Sequence, residues 1–135
     1  MDLMESLMIS AAGMRAQGQR LRVVAENLAN ADSVSEVPGG DPYRRKTISF
    51  KNQLDRELGL ETVQVQKVGV DPSDFRMKYD PNNPAADAKG YVKLPNVNSL
   101  IEMSDMREAQ RSYEANLRAI EVARSMLQRT IDLIR

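Results

Sequence analysis

Apolar residues recur at helical spacing over both ends of the chain, and each end is apolar on two faces. In the first stretch Leu3, Leu7, Met14, Leu21, Val24 and Leu28 repeat at three, four or seven residues. In the last, Met106, Tyr113, Leu117, Ile120, Leu127, Ile131 and Ile134 do the same. At about 100° per residue each set falls within one sector of a helix. A second stripe lies roughly opposite: Ile9, Ala12, Ala16 and Val23 in the first stretch, Ala119, Val122, Met126 and Leu133 in the last. One stripe suffices to pair the two helices. The second asks for a further partner, and nothing else in the chain is long enough to cover it.

The pattern predicts a helix from about Leu3 to about Ala29 and another from near Ser99 to the end. Asp2 with Glu5, and Ser99 with Glu102, have the spacing of capping boxes. Gly13 and Gly18 interrupt the first helix at about 1 kcal/mol each relative to Ala. The run Ala11-Ala12-Gly13 suggests why: small residues let another helix approach closely. Asn30-Ala31-Asp32-Ser33 supplies αL-tolerant and turn-forming residues that stop the helix. Facing stripes in an antiparallel pair set Leu21 against the Leu117–Leu127 stretch.

Between the helices the period changes, and all six prolines lie in this stretch. Val34 to Asp41 reads as a flexible loop and Tyr43 to Phe50 as a strand. Val63 and Val65, then Val68 and Val70, alternate with a phase slip at Gln66-Lys67 that suggests a β-bulge. Phe75, Met77 and Tyr79 alternate again, while Leu54 to Leu60 fits either a helical turn or a loop. The fold class is therefore mainly α with a small β insertion. Residues 1–31 plus 99–135 form an antiparallel, coiled-coil-like helical hairpin, and residues 32–98 a β-hairpin module too small to be stable alone.

Composition narrows the chemistry. Lys plus Arg equals Asp plus Glu, 19 each, so net charge steers the chain neither to nucleic acid nor to anionic lipid. Cys and His are both absent, which removes thiol nucleophiles, disulfides, zinc fingers and imidazole bases together. No 18-residue apolar run predicts a membrane span. The N-terminus has no basic segment ahead of its apolar residues and makes a poor signal peptide, which implies cytoplasmic residence unless the chain leaves by another route.

No catalytic, cofactor or metal constellation emerges. Tyr79-Asp80-Pro81-Asn82-Asn83-Pro84 invites comparison with a calcium loop. It fails at Pro84, at Ala85 where the loop needs Gly, and at Tyr91 where it needs Glu. Turn chemistry explains Asp71, Asp74, Asp80 and Asp87 better. Arg44-Arg45-Lys46 reads as a solvated strand edge, with a docking contact as the alternative. Glu108–Arg111, Glu114–Arg118 and Glu121–Arg124 have the spacing of ion pairs along one solvated helix face, and methionines at helical spacing read as core.

Several motifs carry a family resemblance. Ser10-Ala11-Ala12-Gly13-Met14, Gln17, Arg20-Leu21 and Ala25-Glu26-Asn27-Leu28-Ala29-Asn30-Ala31-Asp32 resemble the N-terminal signature of bacterial flagellar axial proteins of the rod and hook. The remainder is similar to the proximal-rod members. It comprises Pro42-Tyr43-Arg44, Tyr79-Asp80-Pro81, Asn83-Pro84, Ala86-Asp87, Gly90-Tyr91-Val92-Lys93, Pro95-Asn96-Val97 and Arg111-Ser112-Tyr113-Glu114-Ala115-Asn116. The resemblance covers nearly the whole chain, with no family motif in Lys51 to Val70.

The resemblance implies a structural subunit of the proximal rod, not an enzyme. Such subunits leave the cytoplasm unfolded through the flagellar type III export apparatus, without a cleaved signal peptide, and join the periplasmic rod of the basal body. Their terminal helices form an inner tube around the export channel. The implied partners are neighbouring proximal and distal rod subunits, further copies in the rod and the export apparatus; nucleic acid and membrane insertion are not implied. Candidate subunit-interface residues are Leu7, Met14, Leu21, Leu28, Tyr113, Leu117, Ile120, Leu127, Ile131 and Ile134, together with Asn27 and Asn30. From the residues alone, Asn30 reads as a helix cap and Asn27 as solvated; the resemblance favours contacts of both amides with a neighbouring subunit. A soluble helical-hairpin adaptor, or a homo-oligomer of defined size, would use the same stripes. A carboxylate-based hydrolase would rest on the Asp cluster alone.

Overall fold

The computed structural model describes residues 2–135. Helix α1 spans Leu3–Ala29, strands β1 (Lys46–Asp55), β2 (Leu60–Val70), β3 (Arg76–Tyr79) and β4 (Tyr91–Leu94) follow, and helix α2 spans Ser99–Ile134. Two long helices pack together with a small two-sheet β module between them in sequence, as the hydrophobic pattern predicts. The chain divides into two compact units. One comprises residues 1–21, 48–67 and 107–135, and the other residues 22–47 and 68–106.

In the first unit the helices meet at Gly13, and small residues are buried on both. Ala12, Gly13 and Ala16 are buried on α1, Ala109 and Ala123 on α2. Gly13 faces the Asn116 side chain, and a Cβ built on it would lie 2.9 Å from the Asn116 amide atoms. Arg20 donates to Glu108 at 3.3 Å. These contacts define an antiparallel pair in which Leu21 lies opposite about Glu108, rather than in the Leu117–Leu127 stretch expected from facing stripes. The Gly13–Asn116 and Arg20–Glu108 contacts fix this register; Leu7, Met14 and Leu21 on α1 and Tyr113 and Ile120 on α2 are half-buried, while Ala119, Val122, Met126 and Leu133 are exposed. Glu108 is thus spent across the pair rather than along its own helix. Gly13→Ala should lower the melting temperature, because Asn116 must move, and adding Asn116→Ala should restore most of the loss. Equal losses with and without Asn116→Ala would show that the notch is not the cause.

Strands β1 and β2 form a two-stranded sheet. The Ser49 hydroxyl donates to the Lys67 carbonyl and the Thr62 hydroxyl to the Gln53 carbonyl, both at 3.4 Å, as an antiparallel hairpin requires. The turn resolves the ambiguous Leu54 to Leu60 stretch. Asp55 accepts from the Glu57 and Leu58 amides, and Gly59 takes a positive φ of 65° that only glycine adopts cheaply. β2, at 11 residues, is one longer than β1, at 10. Val63 and Val65 take the more covered face, and Val68 and Val70 are exposed on the other. An open cleft of about 260 Å³ separates Thr62–Val65 from Ala12, Arg15, Ala16 and Gln19 of α1.

In the second unit β3 pairs antiparallel with β4, Tyr79 opposite Tyr91 and Arg76 opposite Leu94. The two tyrosine rings meet edge to face at 5.3 Å. The sequence pattern missed β4, whose four residues are too few to show alternation. The loop between them is turn chemistry throughout. Asp87 accepts from the Lys89 and Tyr91 amides, and Asn83 from the Ala85 amide. Those amide bonds, the Tyr91 amide foremost, hold the Asp87 carboxyl below its ordinary pKa. Val92, Pro95 and Val97 form the core here, with Val23, Val24 and Ala31 from the end of α1.

The helix ends correct two expectations. The Asp2 amide does donate to Glu5 at 2.9 Å, one arm of the expected capping box. At the start of α2, however, Asn98 is the cap: its side-chain oxygen accepts from the Leu100 and Ile101 amides. Glu102 points inward instead. α1 ends without a left-handed residue, since no non-glycine residue among those described has positive φ. Asn30 instead donates its side-chain amide to the Glu26 carbonyl at 2.8 Å.

Candidate assembly site

Glu102 is wholly buried, and a buried carboxylate must be paired. Arg45 supplies the pairing charge, donating Nε to Glu102 Oε1. The same guanidinium lies 3.5 Å from Asp71 and 4.0 Å from Asp105. Burial works against the Arg45 charge, but the hydrogen bond and charge of Glu102, with Asp71 and Asp105, outweigh it and hold its pKa above the ordinary value. Asp71 is held below the usual carboxylate range, first by the amide and hydroxyl of Ser73 and then by Arg45.

Asn27 completes the cluster. Its amide nitrogen donates to the Lys46 carbonyl at 2.9 Å and to Glu102 at 3.2 Å. Its oxygen accepts from the Tyr43 hydroxyl and the Lys46 amide, each at 2.8 Å. An amide side chain has two donors and two acceptor positions, and all four are used inside the chain. Asn27 is therefore not solvated, being 1% exposed, and it acts by fixing where the chain leaves α1. Burial raises the Tyr43 pKa; Lys46 opposes this, and Glu26 and Glu102 add to it.

The basic triplet is not a solvated edge. The Arg44 guanidinium lies 4.2 Å from the Phe75 ring centre and donates to the Asp71 and Ser73 carbonyls. Lys46 pairs with Glu26 at 2.7 Å, and that hydrogen bond holds the Lys46 pKa up. Asn96 accepts from the Arg45 amide and donates to the Asp71 and Ser73 carbonyls. Arg76 ties the Pro95 and Ala31 carbonyls together. Sequence reasoning missed Arg45, Glu102 and Asn96. Their signal was present only as polar residues inside motifs: Asn96 lies in Pro95-Asn96-Val97, and Glu102 looked like a cap.

The candidate interface side chains are distributed differently. Leu7, Met14, Leu21, Leu28, Asn30, Tyr113 and Ile120 are half-buried. Leu117, Leu127, Ile131 and Ile134 are exposed, Ile134 at 81%. None of the apolar candidates is fully covered by its own chain. Among the described residues no group of acidic side chains has metal-holding geometry, and no helix is long and apolar enough to cross a membrane.

Residues 88–133 match the family model described as flagellar basal body rod FlgEFG protein, C-terminal. The chain is 56% identical over 127 residues to a flagellar basal-body rod protein FlgC of Agrobacterium fabrum, covering 94% of this chain and 91% of the relative. It is 42% identical to the FlgC proteins of Yersinia enterocolitica and Aquifex aeolicus, over 98% of this chain and 98% and 97% of theirs. Relatives so similar over nearly the whole length define the chain as a structural subunit of the flagellar rod, located in the basal body. The chain belongs to the family of flagellar basal-body rod proteins FlgC.

Proposed function

We propose that this subunit builds the proximal part of the rod, the drive shaft that surrounds the export channel. Residues 1–31 with 99–135 supply the tube-forming helices, and residues 32–98 the smaller outer module. Its partners are neighbouring proximal and distal rod subunits, further copies of itself, and the flagellar type III export apparatus that passes it from the cytoplasm to the periplasmic rod. Its role is structural rather than catalytic: of the acidic cluster the sequence offers, Asp71 and Asp87 accept hydrogen bonds within their own turns, and Asp71 also faces Arg45. The observation that carries this reading is the half-open apolar stripe. The helix pair consumes its small residues internally and leaves Leu7, Met14, Leu21, Leu28, Tyr113, Leu117, Ile120, Leu127, Ile131 and Ile134 for subunit contacts. Asn30, half-buried at the end of α1, adds to them, and Asn27 contributes by positioning that end.

Leu117→Asp and Ile120→Asp test the stripe. In the free chain Leu117 is already 39% exposed, so its charge costs little before assembly. In a rod it would be buried unpaired, at several kcal/mol. The expected result is a folded, secreted chain, arrested rods and no swimming in cells that lack the native copy. Asp80→Ala and Asp87→Ala should leave swimming intact. Normal motility with Leu117→Asp and Ile120→Asp would remove the stripe from the assembly surface.

Hydrogen exchange offers a second check. Burial supplies most helix stability, and beyond Ala123 no α2 side chain is covered. Amide protection in the free chain should therefore fall steeply after Ala123 and return in isolated basal bodies. Uniform protection along α2 in the monomer would contradict assembly-coupled ordering.

A further inference from the structure

Cysteine, tryptophan and histidine are all absent from the chain, whereas methionine occurs eight times. Thioethers are therefore its most readily oxidised side chains. Among the described residues Met8, Met14 and Met106 are half-buried. Met4, Met77, Met103 and Met126 are exposed, Met126 at 52%.

Met126 stands in an uncovered apolar row. It follows Ala123, the last buried side chain of α2. Val122, four residues before it, and Leu133, seven after it, are exposed at 54 and 87%. Those spacings place the three on one face of the helix. Ala119, seven residues before Met126, continues the row and is exposed as well. A row of this kind is open to solvent in the free chain and needs cover in an assembly. Its sulfur is thus reachable in one state and shielded in the other.

A peroxide converts such a thioether to a sulfoxide. A sulfur lone pair attacks one peroxide oxygen, the S–O bond forms and the O–O bond breaks. The departing hydroxide takes the proton of the transferred hydroxyl and leaves as water. Sulfur loses two electrons and the peroxide gains them. The product replaces an apolar side chain with a polar one that accepts hydrogen bonds. On the free chain water satisfies it. Ala119, Val122 and Leu133 have no side-chain donor, so under an apolar cover the new oxygen would lose its hydrogen bonds to water.

We propose that Met126 is a site of reversible oxidation by peroxides that controls entry of the subunit into the rod. The thioether admits the chain, the sulfoxide bars it, and assembly closes the site to the oxidant. This rests on the rod reading above and adds a control on it. A methionine sulfoxide reductase returns the thioether, oxidising a dithiol to a disulfide and releasing water.

The test follows each methionine by mass spectrometry in the full-length chain. With hydrogen peroxide, Met126 of the purified chain is expected to oxidise while the helical circular dichroism is kept. In isolated basal bodies it should oxidise at least an order of magnitude more slowly. In peroxide-treated cells that are building new flagella, the Met126 sulfoxide should be present in unassembled chain and depleted in basal bodies. Equal rates in the two preparations would overturn the proposal, as would a sulfoxide equally abundant in both pools. Loss of the helical signal on oxidation would overturn it too, since the chain would then fail by unfolding. Two variants separate polarity from shape in cells without the native copy. Met126→Gln, polar and of similar length, should fold yet swim poorly with no peroxide added, and Met126→Leu should swim. Normal swimming of Met126→Gln, or failure of Met126→Leu, would remove the control from this sulfur. A chain missing from purified basal bodies would overturn the rod reading itself.

Discussion

Arg45→Ala is expected to unfold the second unit at moderate temperature, at a cost of about 3–5 kcal/mol. The magnitude comes from what is left behind. Glu102 is wholly buried, and its other hydrogen bond is to the neutral amide of Asn27. Without Arg45 an ionised carboxylate is stranded in the core, and Asp71 and Asp105 lose a shared cation. Arg45→Lys should recover only part, since one ammonium cannot reach three carboxylates as a planar guanidinium does. Arg45→Ala with Glu102→Leu should recover more than Arg45→Ala alone, because it removes the stranded charge. Chemical denaturation followed by circular dichroism measures all three. A loss under about 1 kcal/mol, the scale of an exposed pair, would mean that Glu102 is not paired as described.

Asn27→Asp carries the second large effect, although it changes little in volume. The replacement keeps an acceptor for the Tyr43 hydroxyl and the Lys46 amide. It loses the donor to the Lys46 carbonyl, and it places a second carboxyl 3.2 Å from Glu102. Two carboxylates at that distance do not both ionise readily. The new carboxyl's folded pKa is thus raised above its unfolded value of about 3.9. The sign follows from proton binding. Between the unfolded and the raised folded pKa the folded state binds more protons, so stability falls as pH rises through that window. At neutral pH the variant should be destabilised by about 3 kcal/mol or more, and the difference from the parent should shrink on acidification toward pH 4. A deficit independent of pH would point to lost packing rather than charge.

Both helices, their ends to within a residue and the close approach at Gly13 were legible in the sequence, because long amphipathic periods survive any tertiary detail. The register of the pair was not, because stripes that repeat every three or four residues match at several offsets. Leu21 lies opposite about Glu108, where facing stripes had set it against Leu117–Leu127. The short β4 and the true cap at Asn98 were hidden for local reasons: four residues show no period, and Asn98, Ser99 and Glu102 offer two overlapping capping patterns. The family motifs were legible as signatures without their cause. The structure supplies it pairwise. Gly13 meets Asn116; Asn27 meets Tyr43; Tyr79 meets Tyr91; Asp87 holds the Tyr91 amide. The polar motif residues work chiefly inside the subunit, and of the apolar stripe only Leu117, Leu127, Ile131 and Ile134 are exposed.

The seam joins residues about a hundred positions apart, Gly13 with Asn116 and Arg20 with Glu108. Loops of that length close slowly, and contacts so distant in sequence give nothing until both partners exist. A chain being made from its N-terminus has α1 waiting for α2 until all four strands have appeared. Until Ser99 onward has emerged, Glu102 cannot reach Arg45, and the polar cluster stays open. Only the local β1–β2 and β3–β4 pairings can form early. Placing the two halves of the core so far apart in sequence thus delays compaction until α2 has been made. The nascent polypeptide is left extended and within reach of whatever machinery handles unfolded chains.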